Sequence, residues 1–295
     1  IDVKSLDIER LADLPRGIVK LTSLLRAAKP ALLSAWLYYP AVIATLIRPL
    51  LSSRPRIIWH IRSLPYGRFR QKPLRWIAQR LLARLSHLSK INIISNSEAA
   101  REAHRALGYD VSHWQIVPNA IDPTRYHPDP ELRRTIRESL ALNDTDFVIG
   151  AVGRDVPEKG WPDLIEAFAL LRESLKRSPD QRPILMMAGR GLTADAPAIS
   201  ALLDVNKIPR DAVRLLGARN DIPAVMNAFD LFVMSSRSES FPNALAEAMA
   251  TGLPCLASDV GDCATVLNDQ KAITPAQNPD ALSKAIQRMI ALPKE

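Results

Sequence analysis

The 295-residue sequence predicts an α/β protein built from two Rossmann-like doubly wound domains. The length suits two domains of roughly 150 residues rather than one. Short apolar runs alternate with amphipathic stretches, the pattern of strand–helix–strand units around parallel sheets. Eight of the eleven glycines fall between Gly150 and Gly261, nearly all where a strand or a helix should end. Parallel sheets bind ligands at the carboxyl ends of their strands, so the second half is read as the ligand-binding one.

In the first half, strands are expected at Ala31–Trp36, Ile57–Ile61, Ile91–Ser95 and Trp114–Val117. Helices are expected from Pro40 to about Leu50, from Lys72 to Leu88, and from a Ser97 cap to about Leu107, where Gly108 ends the pattern. The uncharged run from Pro30 to Ile47 approaches the length of a membrane span. Pro40 and Tyr38-Tyr39 within it favour a buried strand feeding a helix. The stretch Pro118–Pro130 is punctuated by prolines and is read as the link, giving domains 1–128 and 129–295.

In the second half, strands are expected at Phe147–Val152, Ile184–Ala188, Val213–Leu216, Leu231–Met234 and Pro254–Ala257. Between the first two, Leu164, Ile165, Phe168 and Leu171 share one helical face, with Pro162 suited to the first turn. Pro242 is expected to start a helix that stops at Gly252, and a last helix is expected from Pro279 to Leu292. Asp144-Thr145-Asp146 has the letters of a metal-binding DxD motif but precedes a strand, and is read as a turn.

Composition narrows the class. Apolar residues make up 47% and charged residues 24%, enough for an ordinary core. Cys255 and Cys263 lack metal-ligand spacing, which argues against a zinc site or a disulfide framework and suits a reducing compartment. The charge is uneven: residues 14–97 hold 15 Lys/Arg and no Asp or Glu, whereas 98–295 carry a net −5. A basic first half suits an anionic partner, such as an anionic membrane surface or a lipid diphosphate, or is a solvated face. No nucleic-acid-binding motif accompanies it.

The chemistry concentrates in Ser235–Gly252. The expected helix is nearly all Ala, Leu and Met yet holds Glu247, whose burial would require hydrogen-bond donors. A ribose offers a vicinal pair of hydroxyls, which one carboxylate can accept. Glu239, just before the helix, could serve a hexose in the same way, with Phe241, Pro242 and Asn243 leading into a helix N-terminus suited to phosphate. The competing readings are that Glu239 offsets the helix dipole and that Glu247 pairs with an arginine.

Two glutamates eight residues apart in this context resemble the paired-glutamate motif of the family 4 retaining glycosyltransferases. Other pieces follow the family's order: Val152-Gly153-Arg154 with Glu158-Lys159-Gly160, Ala188-Gly189-Arg190-Gly191, Leu216-Gly217-Ala218-Arg219-Asn220-Asp221, Asp259-Val260-Gly261-Asp262, and Val117-Pro118-Asn119-Ala120-Ile121-Asp122. The resemblance spans roughly Ser95 to Leu282. It implies the GT-B arrangement, two such domains facing across a cleft, and transfer of a hexose from a UDP- or GDP-sugar to a saccharide or lipid-linked acceptor without a metal or other cofactor. It further implies that Arg154, Lys159 and Glu239 act in catalysis, and that Gly153, Gly217, Arg219, Phe241, Pro242, Asn243 and Glu247 bind the donor. Two fixed cations can replace Mg²⁺ in stabilising a departing diphosphate.

Ile58-Trp59-His60-Ile61-Arg62-Ser63 resembles a segment of surface-polysaccharide members, which makes His60 and Arg62 acceptor-side candidates; His60 as a satisfied core residue is the alternative. The family further implies a cytoplasmic protein, peripheral at the inner membrane face. Ser240 and Ala120 stand where the family often has glycine, and the family's opening glycine-rich loop and closing helix are not recognisable, so the first domain is expected to be incomplete. A nucleotide-sugar-binding protein without turnover and a nucleotide-sugar epimerase remain the alternatives.

Overall fold

The computed structural model describes residues 3–65, 73–89, 91–143, 145–175 and 182–292. They form two units, 1–118 and 119–295, each around its own parallel sheet.

The first unit runs α1 (Leu14–Ala28), β1 (Leu32–Trp36), α2 (Tyr38–Ile47), β2 (Arg56–Ile61), α3 (Pro73–Ser89), β3 (Asn92–Ser95), α4 (Glu98–Ala106) and β4 (Trp114–Ile116). Its four strands lie side by side in sequence order. Trp59, Ile61 and Ile93 from the sheet pack with Ala41 and Leu82 from the helices. The uncharged run Pro30–Ile47 thus folds as a strand and a helix, and among the described residues no helix is long and apolar enough to cross a membrane. Helix α2 starts at Tyr38, two residues before the expected Pro40, because Leu37 turns the chain and leaves proline in a first turn that needs no N–H from it. Ser97 caps α4 as expected, its hydroxyl accepting from the Ala100 N–H at 3.1 Å.

The second unit runs α5 (Pro130–Ser139), β5 (Asp146–Val152), α6 (Trp161–Leu175), β6 (Arg182–Ala188), α7 (Pro197–Val205), β7 (Val213–Leu215), α8 (Ile222–Asn227), β8 (Leu231–Met234), α9 (Asn243–Ala250), β9 (Cys255–Ser258), α10 (Cys263–Leu267), β10 (Ile273–Thr274) and α11 (Pro279–Ile290). The order across its sheet is β10-β9-β8-β5-β6-β7. The chain therefore winds outward from β5 in both directions, and the loops after β5 and β8 flank the switch point where such sheets bind ligands. Leu164, Ile165, Phe168 and Leu171 of α6 are buried against one face, and Val225, Phe229 and Leu245 sit in a second cluster. Asp146 begins β5, buried, with its carboxylate accepting the Asn143 N–H at 2.8 Å; Asp144 lies outside the described residues. Both cysteines are free and buried, their thiols pushed up to about 12 by burial.

Candidate functional site

The loops at the carboxyl ends of the second sheet are laced together through their backbones. Gly153 N–H donates to Ala188 O at 2.9 Å, Asp155 N–H to Arg190 O at 2.8 Å, Gly189 N–H to Gly217 O at 2.7 Å, and Arg237 N–H to Glu158 O at 2.7 Å. Segments far apart in sequence thereby become one surface.

Lys159, in a single tight turn before α6, donates from Nζ to Glu239 Oε1 at 2.6 Å, and Ser236 Oγ donates to the same oxygen at 2.7 Å. The two ends of this ion pair are 21% and 14% exposed. Gly160 makes the approach feasible. It sits at φ +64, and a Cβ there would lie 2.2 Å from Ser235 O. The Ser235 hydroxyl in turn donates to Lys159 O at 3.1 Å. Arg237 clamps the loop to α6 with two 2.7 Å bonds to the Asp163 carboxylate. On the far side, Gly261 at φ +56 lets its backbone pass Glu239 O where a Cβ would stand 2.2 Å away.

Glu247 lies one turn into α9 and is half-buried. Loss of hydration raises its carboxyl above the usual range, against the opposing Tyr126 hydroxyl, Arg125 and Lys159. The hydrogen bond at this carboxylate comes from the Tyr126 hydroxyl, and Arg125, the arginine of the competing reading, acts on it only through its charge. A turn delivers that tyrosine: Asp122 accepts from the N–H and hydroxyl of Thr124 at 2.9 and 2.7 Å, and its carbonyl accepts from the Arg125 and Tyr126 N–H groups.

Two expectations about α9 need correction. Pro242 precedes the helix as its N-cap instead of starting it, and only Leu245 and Ala248 of the helix are buried, with Met249 exposed at the surface. The helix packs on the sheet through these two residues and leaves its other side open. Its first-turn donors are also partly used, Asn243 N–H by Phe241 O and Leu245 N–H by Pro242 O. The Asn243 side chain instead accepts from Asn119 Nδ2 at 2.5 Å.

Arg154 is exposed at the same edge, and its carbonyl accepts from Trp161 Nε1 at 3.1 Å. Among the described residues its guanidinium joins no ion pair. Arg219 pairs with Asp221, its fork reaching the carboxylate at 2.7 and 2.5 Å. Gly217 beside it turns the chain after β7. Ser236 and Tyr126 were missed from sequence; the only signal for the tyrosine was the Asp122–Thr124 turn pattern that aims it.

In the first unit, His60, next to last in β2, stacks on Trp36, the ring centroids 4.3 Å apart and the planes within 3°. Arg62 lies 5.3 Å from the Trp36 centroid. Burial and Arg62 together hold the His60 imidazole below its ordinary value, and Nδ1 is buried without a partner among the described residues. His60 is therefore not a satisfied core residue. His104 is one: its Nδ1 bonds Ala100 O at 2.6 Å and its Nε2 meets the Tyr38 hydroxyl at 2.9 Å.

The family model "Glycosyl transferases group 1" matches residues 133–295, and "Glycosyltransferase Family 4" matches residues 4–125. The chain belongs to the group 1 glycosyl transferases. It is 31% identical to the UDP-Gal:alpha-D-GlcNAc-diphosphoundecaprenol alpha-1,3-galactosyltransferase of Escherichia coli over 53% of this chain and 39% of that one. To the Vi polysaccharide biosynthesis protein VipC/TviE of Salmonella typhi it is 26% identical over 84% of this chain and 42% of the relative. The chain thus spans about two fifths of the length of these curated relatives. The fold is shared with Anabaena HepE, solved in complex with UDP-glucose: TM-score 0.79 at 22% identity, covering 96% of this chain and 74% of HepE. The two parallel-sheet units are those of the GT-B glycosyltransferases.

Proposed function

We propose that this chain is a retaining, metal-independent hexosyltransferase whose second domain holds a UDP- or GDP-sugar and whose first domain meets a saccharide or lipid-linked acceptor. The observation that carries the reading is the Lys159–Glu239–Ser236 cluster beside the half-buried Glu247 at the carboxyl edge of the second sheet. A carboxylate stripped of water gains most from hydroxyl donors, and the ribose diol supplies two to Glu247. Lys159 and Arg154 stabilise the diphosphate as the bond to the sugar breaks, the role a metal plays elsewhere. Glu239, held by Lys159 and Ser236, orients the hexose. The departing phosphate oxygen takes the acceptor's proton on the face from which the acceptor attacks, which gives retention. The fold shared with a UDP-glucose complex supports the donor assignment.

Calorimetric titration with UDP and GDP tests the reading: micromolar binding to one of them, abolished by Glu247→Ala, is expected, and no binding to either refutes it. Donor hydrolysis or transfer then separates a catalyst from a binder without turnover. The basic run 14–97 supports a peripheral place at the cytoplasmic membrane face, with Trp76, Ile77, Arg80 and Arg84 lining a groove along α3. Sedimentation with phosphatidylglycerol vesicles but not with phosphatidylcholine vesicles is the expected result.

A further inference from the structure

The carboxyl edge of the first sheet carries an aromatic surface that the donor chemistry does not use. Trp36 ends β1, a sheet edge, and remains 50% exposed although His60 stacks against it. The ring is fixed. Its Nε1 donates to Ser34 Oγ at 3.1 Å, His60 lies parallel to it, and Arg62 sits within cation–π range.

The backbone beside it is strained. Leu37 has φ +68 and ψ −177, a combination that only glycine adopts without strain. Its N–H donates to His60 O at 2.9 Å, which keeps Trp36 in register with His60. Leu37 and Tyr39 are exposed alongside. Strain that holds a large apolar ring in water does nothing for the core, and such strain persists mainly where a ligand uses it.

The polar groups indicate what the ligand carries. Arg62 forms no ion pair among the described residues, and no acid occurs anywhere in 14–97 to neutralise it. His60 backs one face of the indole, its Nδ1 buried without a partner among the described residues, and leaves the sugar the other face. A flat apolar face held rigid from behind and an unpaired guanidinium together suit a pyranose ring with an anionic substituent.

We propose that Trp36, His60 and Arg62 form a subsite for one pyranose ring of an acidic saccharide acceptor, the ring lying on the open surface of Trp36 and its carboxylate or phosphate held by Arg62. The proposal rests on the glycosyltransferase reading and adds the acceptor's chemical class to it.

The test presents the full chain to an array of neutral, uronate-bearing and phosphate-bearing oligosaccharides, with UDP titrated in parallel. Retention on the acidic members is expected at least five-fold above their neutral counterparts, and the uronate and phosphate arms identify the anion. Arg62→Gln is expected to reduce retention to the neutral level and Trp36→Ala to abolish it, whereas Trp36→Phe preserves it. Arg56→Gln, exposed at the opposite, amino end of β2, controls for general positive charge and is expected to change nothing. Equal retention on neutral members, no retention on any member, or an equal loss in Arg56→Gln overturns the proposal. UDP binding without saccharide retention leaves the donor reading standing while this one fails; retention without UDP binding does the reverse.

Discussion

Replacing Glu239 by glutamine should separate donor binding from transfer, because in the proposed mechanism Lys159, now bonded to Glu239, must leave it to meet a diphosphate. Two unit charges about 4 Å apart attract by roughly 4 kcal/mol at an effective dielectric near 20. Lys159 and Glu239 keep 21% and 14% exposure, so lost hydration and screening by solvent reduce the net pairing to about 1 kcal/mol. A diphosphate must overcome that amount before it gains Lys159. Glu239→Gln removes the competing charge and should tighten UDP binding by about five-fold, since about 1.4 kcal/mol corresponds to ten-fold. Lys159→Ala should weaken it by roughly ten- to a hundred-fold, the value of a charge-assisted bond at about 1.5–3 kcal/mol. Sugar transfer should fall in both variants, as Glu239→Gln loses the carboxylate that orients the hexose. Calorimetry with UDP gives the affinities and product formation gives the rates. If Glu239→Gln weakens UDP binding as much as Lys159→Ala does, the pair is a structural unit and the exchange mechanism is wrong.

Glu247→Gln should melt higher than wild type at pH 7: a folded-state carboxyl titrating above its usual range is destabilising when ionised, and the amide carries no charge to desolvate. The same variant should lose more than ten-fold in UDP affinity, and wild-type binding should weaken as pH falls through the raised value; pH-independent calorimetry between 4 and 7 would contradict this. Gly160→Ala places an L-residue at φ +64 with its Cβ against Ser235 O, costs at least about 1–2 kcal/mol, and should lower Tm by about 3 °C or more in a calorimetric scan. An unchanged Tm would mean that the loop relaxes freely. His104, held neutral by burial with a value of about 4, should make stability fall as pH drops from about 6.5 to 4 with a slope near 1.4 kcal/mol per unit, one proton's worth. Urea titrations of wild type and His104→Gln check it, and a slope that survives the substitution refutes the assignment.

What sequence could reveal divides along physical lines. Strands inside a parallel sheet are apolar on both faces, so β8 at Leu231–Met234 could be read directly from composition. Helix α5 could not. Half of its ten side chains are charged, and it is held by tertiary bonds: Arg133 and Arg137 reach the Asp230 carboxylate at 2.7 and 3.3 Å and the carbonyls of Asn227, Ala228 and Phe229. Glu247 announced itself as an isolated acid in an apolar helix, yet its tyrosine partner lies 121 positions earlier. The Lys159–Glu239 contact joins residues 80 apart, and no local pattern encodes a pairing that depends on β8 lying beside β5.

The two units also handle charge in opposite ways. In the second, the cations near the site are largely neutralised in advance: Lys159 by Glu239, Arg219 by Asp221, Arg237 by Asp163. An anion that takes Lys159 or Arg219 exchanges one partner for another, so Arg154 alone adds uncompensated attraction, the net charge gained is small, and the affinity should respond weakly to salt. In the first, the 15 cations of residues 14–97 face no acid in their own segment, and an anion bound at Arg62 gains attraction without displacing an ion-pair partner among the described residues. Such attraction is long-ranged and screened over about 8–10 Å at physiological ionic strength. Between low and high salt, UDP affinity should therefore change little while retention of acidic saccharides or anionic vesicles falls steeply. Parallel salt dependence of the two would mean that both ligands use one electrostatic surface, contrary to the division of labour argued from Glu239 and Arg62.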